Sequence, residues 1–212
     1  MRATWIVKRW LIRKLSVLAL VVTSINCAQT PPSNYYVLTA LPSDQAGQHD
    51  ARSVMVGIGP IRIPGRLDRA QILTRNGSNI VKIHEYHRWG DSLQRQVEEV
   101  LAKNLSSHLN ISQVVVYPWE RVLRPKYQVL ITIRHFEGNL RSGTHLDVIW
   151  QLINVDQDQL VLSDRFVIDT PTLQTTMTGY VASQSQALIK LSEKITQSID
   201  QLEREKDAKR SR

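Results

Sequence analysis

The sequence predicts a single α+β domain: a largely antiparallel or mixed β-sheet with two amphipathic helices packed on one face. Three patterns carry that expectation. Leu93, Val97, Leu101, Leu105 and Leu109 recur at four-residue intervals, and Val100 widens the stripe, as in a helix with one buried side. Ala187, Leu188, Leu191, Ile195, Ile199 and Leu202 give a second helix, from about Thr178 to Leu202, the same kind of stripe. Between the helices lie strand-length runs at Tyr127–Glu137, Thr144–Val155 and Leu160–Asp169. There Ile131 and Ile133, and more loosely Leu146, Val148 and Trp150, alternate with other residues as a half-buried sheet requires.

In chain order, residues 1–26 read as an export signal. Arg2, Lys8, Arg9, Arg13 and Lys14 supply five positive charges, no acidic residue is present, and Leu15–Ile25 form an apolar core of eleven residues. A membrane span needs about twenty apolar residues, and Arg13 and Lys14 stop this core from extending backward. Cys27, the only cysteine, follows directly, so no internal disulfide supports the fold. Its place suits a bacterial lipoprotein, whose thiol receives a diacylglycerol (palmitate is an expected acyl group) and becomes the mature N-terminus. The usual recognition box has leucine three residues before the cysteine and a small residue immediately before it. This chain has Ser24, Ile25 and Asn26. An uncleaved anchor and an ordinary cysteine beside a cleavage site therefore stay open.

Residues 27–34 form a polar, proline-bearing tether, and residues 35–202 the domain proper. Tyr35–Leu38 reads as a strand and Pro42–Arg52 as a polar loop. Val54–Pro64 is apolar and β-branched, broken by Pro60 and Pro64 as an edge strand would be. Gln71–Arg75 and Ile80–Ile83 read as a hairpin turning at Asn76-Gly77. Asp91 suits the N-cap of the first helix, with Gln94 at the capping-box position, and Asn110 suits its stop. Val114–Tyr117 is a short buried-strand candidate closed by Pro118, and Pro171 ends the strand run before the second helix. Residues 203–212 are almost all charged or small and read as a disordered tail.

The order Gly57, Leu67-Asp68-Arg69, Gln71-Ile72-Leu73 and Arg88-Trp89, with Tyr35-Tyr36-Val37-Leu38 near the mature start, resembles the auxiliary lipoproteins of ABC-type lipid transport systems, the PqiC family. Ala70 and Ser92 stand where many members carry proline. The resemblance covers roughly Tyr35 to Leu202. It implies a non-enzymatic lipoprotein attached through Cys27 to the inner leaflet of the outer membrane, facing the periplasm. It also implies an MCE-type membrane-spanning transporter subunit as partner, and it leaves homo-oligomer formation open. Ala28, rather than aspartate, follows the cysteine and fits outer-membrane sorting.

The residues exclude several chemistries. No Gly-x-x-x-x-Gly-Lys-Ser/Thr loop is present to cradle phosphates, and Arg62 occupies the third glycine position of the Gly57-Ile58-Gly59 start. No Gly-x-Ser-x-Gly elbow presents a nucleophile. His84-Glu85-Tyr86-His87 is one residue short of a zinc-protease helix and lacks a third ligand, so both histidines read as surface or interface residues. No residue pattern calls for a cofactor. Removing residues 1–26 takes five of 27 basic residues and none of 19 acidic ones, leaving 22 against 19, or +3. That balance gives no reason to expect nucleic acid.

Leu67, Asp68, Arg69, Arg88 and Trp89 remain as the candidate partner-binding residues, since Arg and Trp are common interface anchors. The alternative for the same residues is an internal ion pair with a half-buried tryptophan locking loop to helix. Two further functional readings compete with the transporter subunit: a periplasmic hydrolase, and an inner-membrane-anchored or soluble periplasmic binding domain.

Overall fold

The computed structural model describes residues 30–42, 54–77, 79–109 and 114–210. Cys27, residues 1–26, the loop beyond Pro42 and Asn110 lie outside the described residues, as does the end of the tail at residues 211–212. Ser33–Arg212 form one unit. Its elements are β1 (Asn34–Tyr36), β2 (Val56–Arg62), β3 (Gln71–Asn76), β4 (Ile80–Trp89), α1 (Leu93–Leu109), β5 (Val114–Val116), β6 (Tyr127–Asn139), β7 (Gly143–Asn154), β8 (Gln159–Thr170) and α2 (Met177–Arg210).

The strands divide between two mixed sheets of order β1-β4-β3 and β5-β2-β6-β7-β8. The antiparallel meander β6-β7-β8 and the β3–β4 hairpin follow the sequence pattern, and Gly77 takes φ +75° at the hairpin turn. In contrast, β2 is not an edge strand: it pairs in parallel with both β5 and β6. Pro60 is accommodated because the β2–β6 register breaks between Ile58 and Ile61, so no ladder bond is required from its missing N–H. The edge on this side of the sheet is β5, which is half-buried rather than fully buried.

The core lies between the five-stranded sheet and the helices, with α1 on β2 and β5, α2 on β6, β7 and β8, and the helices against each other. Tyr127, Val129, Ile131 and Ile133 of β6 and Leu146, Val148, Trp150 and Leu152 of β7 are buried at every second position. The predicted stripes of both helices are buried in the same core, with Leu202 partly so. Trp150 is wholly buried, while Trp119 is half-buried over Gly57, where an added Cβ would stand 2.7 Å from the indole.

Gln96 and Asn104 are buried on α1 beside this stripe, and the chain after β1 explains them. Leu38 N–H donates to Gln96 Oε1 at 2.8 Å, Thr39 N–H to Ser185 Oγ at 3.0 Å and Leu41 N–H to Asn104 Oδ1 at 2.7 Å. An extended segment without a partner strand thus meets its backbone donors with side chains from both helices.

Two helix ends differ from the sequence reading. Ser92, not Asp91, caps α1: its Oγ accepts from Arg95 N–H at 3.2 Å, while Asp91 Oδ1 accepts from Ser92 N–H at 2.6 Å. The expected tail is helical as far as Arg210, because Glu203 has tertiary partners. Its carboxylate accepts from Lys126 Nζ at 2.6 Å and from the Tyr127 hydroxyl at 2.5 Å, and Lys206 Nζ donates to the same hydroxyl at 2.8 Å.

A candidate partner-binding edge

Residues 65–70 turn the chain between β2 and β3. Leu67 N–H donates to Pro64 O at 2.8 Å, Arg69 N–H to Leu67 O at 2.9 Å, and the Leu67 side chain is buried. A polar turn with one apolar residue pointing inward is thereby fixed to the core, and Asp68 and Arg69 are left exposed beside it. Neither forms an ion pair among the described residues, so the internal pair considered from sequence is absent there.

Arg88 and Trp89 belong to this same place. Trp89 N–H donates to Ala70 O at 2.7 Å, which joins the end of β4 to the turn. Trp89 is buried at the last position of β4 and β1 runs alongside, so the indole holds strand to core. Arg88 is half-buried, opposite Gln71 on one side and Tyr35 on the other. Tyr35 is itself 67% exposed. The five residues chosen from sequence therefore form one neighbourhood: Leu67 and Trp89 are its buried anchors, Asp68 and Arg69 its solvent face, and Arg88 lies at its margin.

Behind the turn lies a group that sequence reading missed. Glu137, only 1% exposed, accepts from Arg66 Nε at 2.9 Å and Nη2 at 2.7 Å, from Arg75 Nε at 3.0 Å and from Phe136 N–H at 2.9 Å. Burial pushes its carboxyl pKa up, but the Phe136 amide and the two guanidiniums outweigh that and hold it below the ordinary value. Arg66 leads the turn, Arg75 is on β3 and Glu137 on β6, so one carboxylate joins the turn and the small sheet to the large one. Tyr180 of α2 reinforces the joint, accepting from Gly138 N–H at 3.1 Å and donating to Leu73 O at 3.2 Å. A glutamate closing an otherwise alternating strand was the one signal available in the sequence.

His84 and His87 lie within β4. The β3–β4 register shifts between Gln71 and Ile72, and the bulge brings the two rings to 5.9 Å between centroids. His84 Nε2 is hydrogen-bonded to the Thr74 hydroxyl at 2.9 Å and His87 Nδ1 to the Tyr36 hydroxyl at 2.7 Å. Among the described residues, no group of three or more His, Cys, Asp or Glu side chains is placed to hold a metal. Nor, among them, is any helix long and apolar enough to cross a membrane.

The family model described as ABC-type transport auxiliary lipoprotein component matches residues 36–196. No curated protein matches the chain. Among solved structures, an uncharacterized protein is similar at TM-score 0.66 and 19% identity, over 80% of this chain and 99% of its own. Protein XCC0632 from Xanthomonas campestris is similar at TM-score 0.65 and 16% identity, over 77% of this chain and 93% of its own. At these identities the structural likeness speaks for the fold.

Proposed function

This chain belongs to the family of ABC-type transport auxiliary lipoprotein components, and from that premise we propose that it is the outer-membrane, periplasm-facing subunit of an MCE-type lipid transport system. The family is a transport auxiliary lipoprotein family, not a known enzyme family, and the family match over residues 36–196 is the observation that carries the proposal. Its role is docking. Cys27 carries the lipid anchor, because several acyl chains hold a protein on a bilayer far better than one. The turn at Asp68 and Arg69, pinned by Leu67 and by the Ala70–Trp89 hydrogen bond, receives the end of the transporter subunit. A turn whose backbone is held in this way suits that task, since little backbone freedom is lost when a partner engages it. Energy comes from another subunit, as this chain has no phosphate-binding loop.

Intact mass of the protein purified from bacterial membranes, beside Cys27→Ala, tests the anchor. A species starting at Cys27 with added acyl mass supports it; an unmodified chain retaining Met1 overturns it in favour of an inner-membrane anchor. Pull-down of the transporter subunit by the Asp68→Lys/Arg69→Glu variant tests the edge. Lost capture at an unchanged melting temperature supports docking there, and full capture rejects it.

A further inference from the structure

Eleven large apolar side chains stand exposed among the described residues. Six of them, Tyr35, Val37, Ile80, Val81, Ile83 and Tyr86, lie on β4 or in and directly after β1 beside it. Single exposed apolar residues are ordinary, but their collection on one pair of strands marks an interaction surface.

The backbone is open at the same place. Ile80 to Ile83 are exposed at four consecutive positions, so both faces of β4 are uncovered there. β3 takes one side of β4, and β1 pairs on the other side only with His87–Trp89. Among the described residues, no strand therefore lies beside Ile80–Tyr86 on that second side. The result is an arm with two open faces and an open edge, whose unpaired N–H and C=O groups require hydrogen-bond partners as well as cover.

The side chains are graded along this arm. Ile80, Val81 and Ile83 stand nearest the turn, while Tyr86, and Tyr35 opposite Arg88, stand further back. Lys82 among them is exposed and forms no ion pair among the described residues. Residues 76–84 contain no acidic side chain. Aliphatic residues in front, amphipathic tyrosines behind and a lysine able to extend to phosphate follow the polarity met between acyl chains and headgroups. The turn Asn76-Gly77-Ser78-Asn79 is polar but uncharged. That turn and the open edge set a shallow depth: unpaired backbone groups are costly in hydrocarbon, whereas headgroups and their water can bond them.

Chain direction selects a bilayer over a protein surface. β1 runs parallel to β4 with Asn34 opposite His87, so the N-terminal end of β1 points along β4 toward Ile80. Cys27 stands seven residues before Asn34, as Ile80 stands seven before His87. An extended chain spans at most about 3.6 Å per residue, so an anchor at Cys27 keeps Asn34 within about 25 Å of the bilayer, about the length of the arm itself. This step rests on the Cys27 anchor proposed above. A rigid protein partner also covers one face of such an arm, whereas a fluid headgroup layer covers both faces and the edge.

We propose that the arm of β4 from Ile80 to Tyr86, with Tyr35, lies in the headgroup layer of the bilayer that carries the anchor. Ile80, Val81 and Ile83 are innermost, the tyrosines stand at the water boundary, and Lys82 meets lipid phosphate. Acyl chains and arm together orient the domain on the membrane, which a single flexible tether does not. The turn at residues 65–70 precedes β3, at the end away from Asn76, and is left clear of lipid.

The test uses the full chain purified from bacterial membranes and reconstituted into vesicles of phosphatidylethanolamine and phosphatidylglycerol. Wild type is expected to take no thiol-reactive nitrobenzoxadiazole, because the diacylglycerol thioether blocks Cys27. Val81→Cys takes the dye on the arm and is expected to show blue-shifted emission, quenched by lipids brominated high on their acyl chains. Asp156→Cys, in the β7–β8 turn, is expected to show neither effect. Arg75, opposite Val81, is bonded to Glu137, and Glu137 pairs with His145, roughly 30 Å along β7 from that turn. Adding Ile80→Asp and Ile83→Asp to Val81→Cys is expected to return the emission to its aqueous value while the protein still floats with the vesicles. If this pair lowers the melting temperature, Ile80→Asp alone, at a position 61% exposed, takes its place. Dye on wild-type Cys27 rejects the anchor rather than the arm. The Cys27→Ala/Val81→Cys chain mixed with the same vesicles then decides: quenching sustains the proposal and its absence overturns it. With the anchor intact, an unshifted Val81→Cys label or quenching indifferent to the aspartates overturns the proposal. So does a shift without quenching that fades as the protein is diluted among vesicles, the mark of a second copy on the arm.

Discussion

Arg75 on β3 donates to Glu137 on β6 at 3.0 Å, and this bond carries the small sheet onto the large one. With Arg66 on the same carboxylate oxygen at 2.7 Å, it makes Glu137 the electrostatic joint behind the turn at residues 65–70. Replacing Glu137 with glutamine keeps the volume and removes the charge that both guanidiniums meet. Breaking a fully buried pair costs roughly 3–5 kcal/mol. Arg66 and Arg75 are 36% and 30% exposed, so a loss of about 2–3 kcal/mol is expected by urea unfolding.

The same carboxylate sets a pH dependence. Its folded pKa lies below the ordinary 4.5, so the unfolded chain takes up the proton first as pH falls. The stabilisation from this group is therefore complete above pH 4.5 and is lost as pH drops through the lower folded value. Melting temperatures from pH 7 downward should decline less steeply below 4.5 in Glu137→Gln than in wild type. Parallel curves would show that Glu137 does not titrate in this way.

Residues 203–206 are structural. Truncation after Leu202 removes both partners of the buried Tyr127 hydroxyl, Glu203 and Lys206. Leaving such a group unmatched costs about 1–3 kcal/mol. Deleting only residues 207–212 keeps those bonds and should change the unfolding midpoint little. Equal effects of the two deletions would return this segment to the status of a solvated tail.

Gly143 begins β7 with φ +90°, and an added Cβ there would stand 2.0 Å from Thr170 O and 2.7 Å from Thr172 N. Both obstacles are backbone atoms. Gly143→Ala should cost more than about 2 kcal/mol through combined strain and overpacking, measured by thermal unfolding. A variant as stable as wild type would mean that the turn and the β8 end separate easily.

The assignment of the α1 cap separates two adjacent residues. Ser92→Ala should cost about 1 kcal/mol, the usual worth of an N-cap hydroxyl. Asp91→Ala removes an exposed pair to Arg95 at 3.3 Å and an exposed hydrogen bond from Ser92 N–H that water can replace, and should cost only about 0.5 kcal/mol. The reverse order in chemical denaturation would restore Asp91 as the cap.

The local elements were legible from sequence because their signals are local. Four-residue spacing in α1, period-two burial in β6 and β7, and Asn76-Gly77 in the hairpin each report a face or a turn within a few residues. The neighbourhood of the candidate partner-binding residues was half legible: an Asp-Arg pair in a turn and an Arg-Trp pair before a helix were visible as unusual residues. Their adjacency was not, since it rests on the hydrogen bond between Ala70 and Trp89, across a whole hairpin.

What the sequence by itself determined, then, is the α+β class, the two helix stripes, the meander and the family resemblance. Tertiary structure alone decided that the strands split into two sheets, that β2 runs parallel between β5 and β6, and that the last helix continues to Arg210. It also decided the Glu137 joint and the exposure of β4 on both faces from Ile80 to Ile83. The physical reason is one of range. Periodicity records which side of a segment is apolar, but not which distant segment covers it. Buried charges exist only once residues far apart in the chain have shed water together.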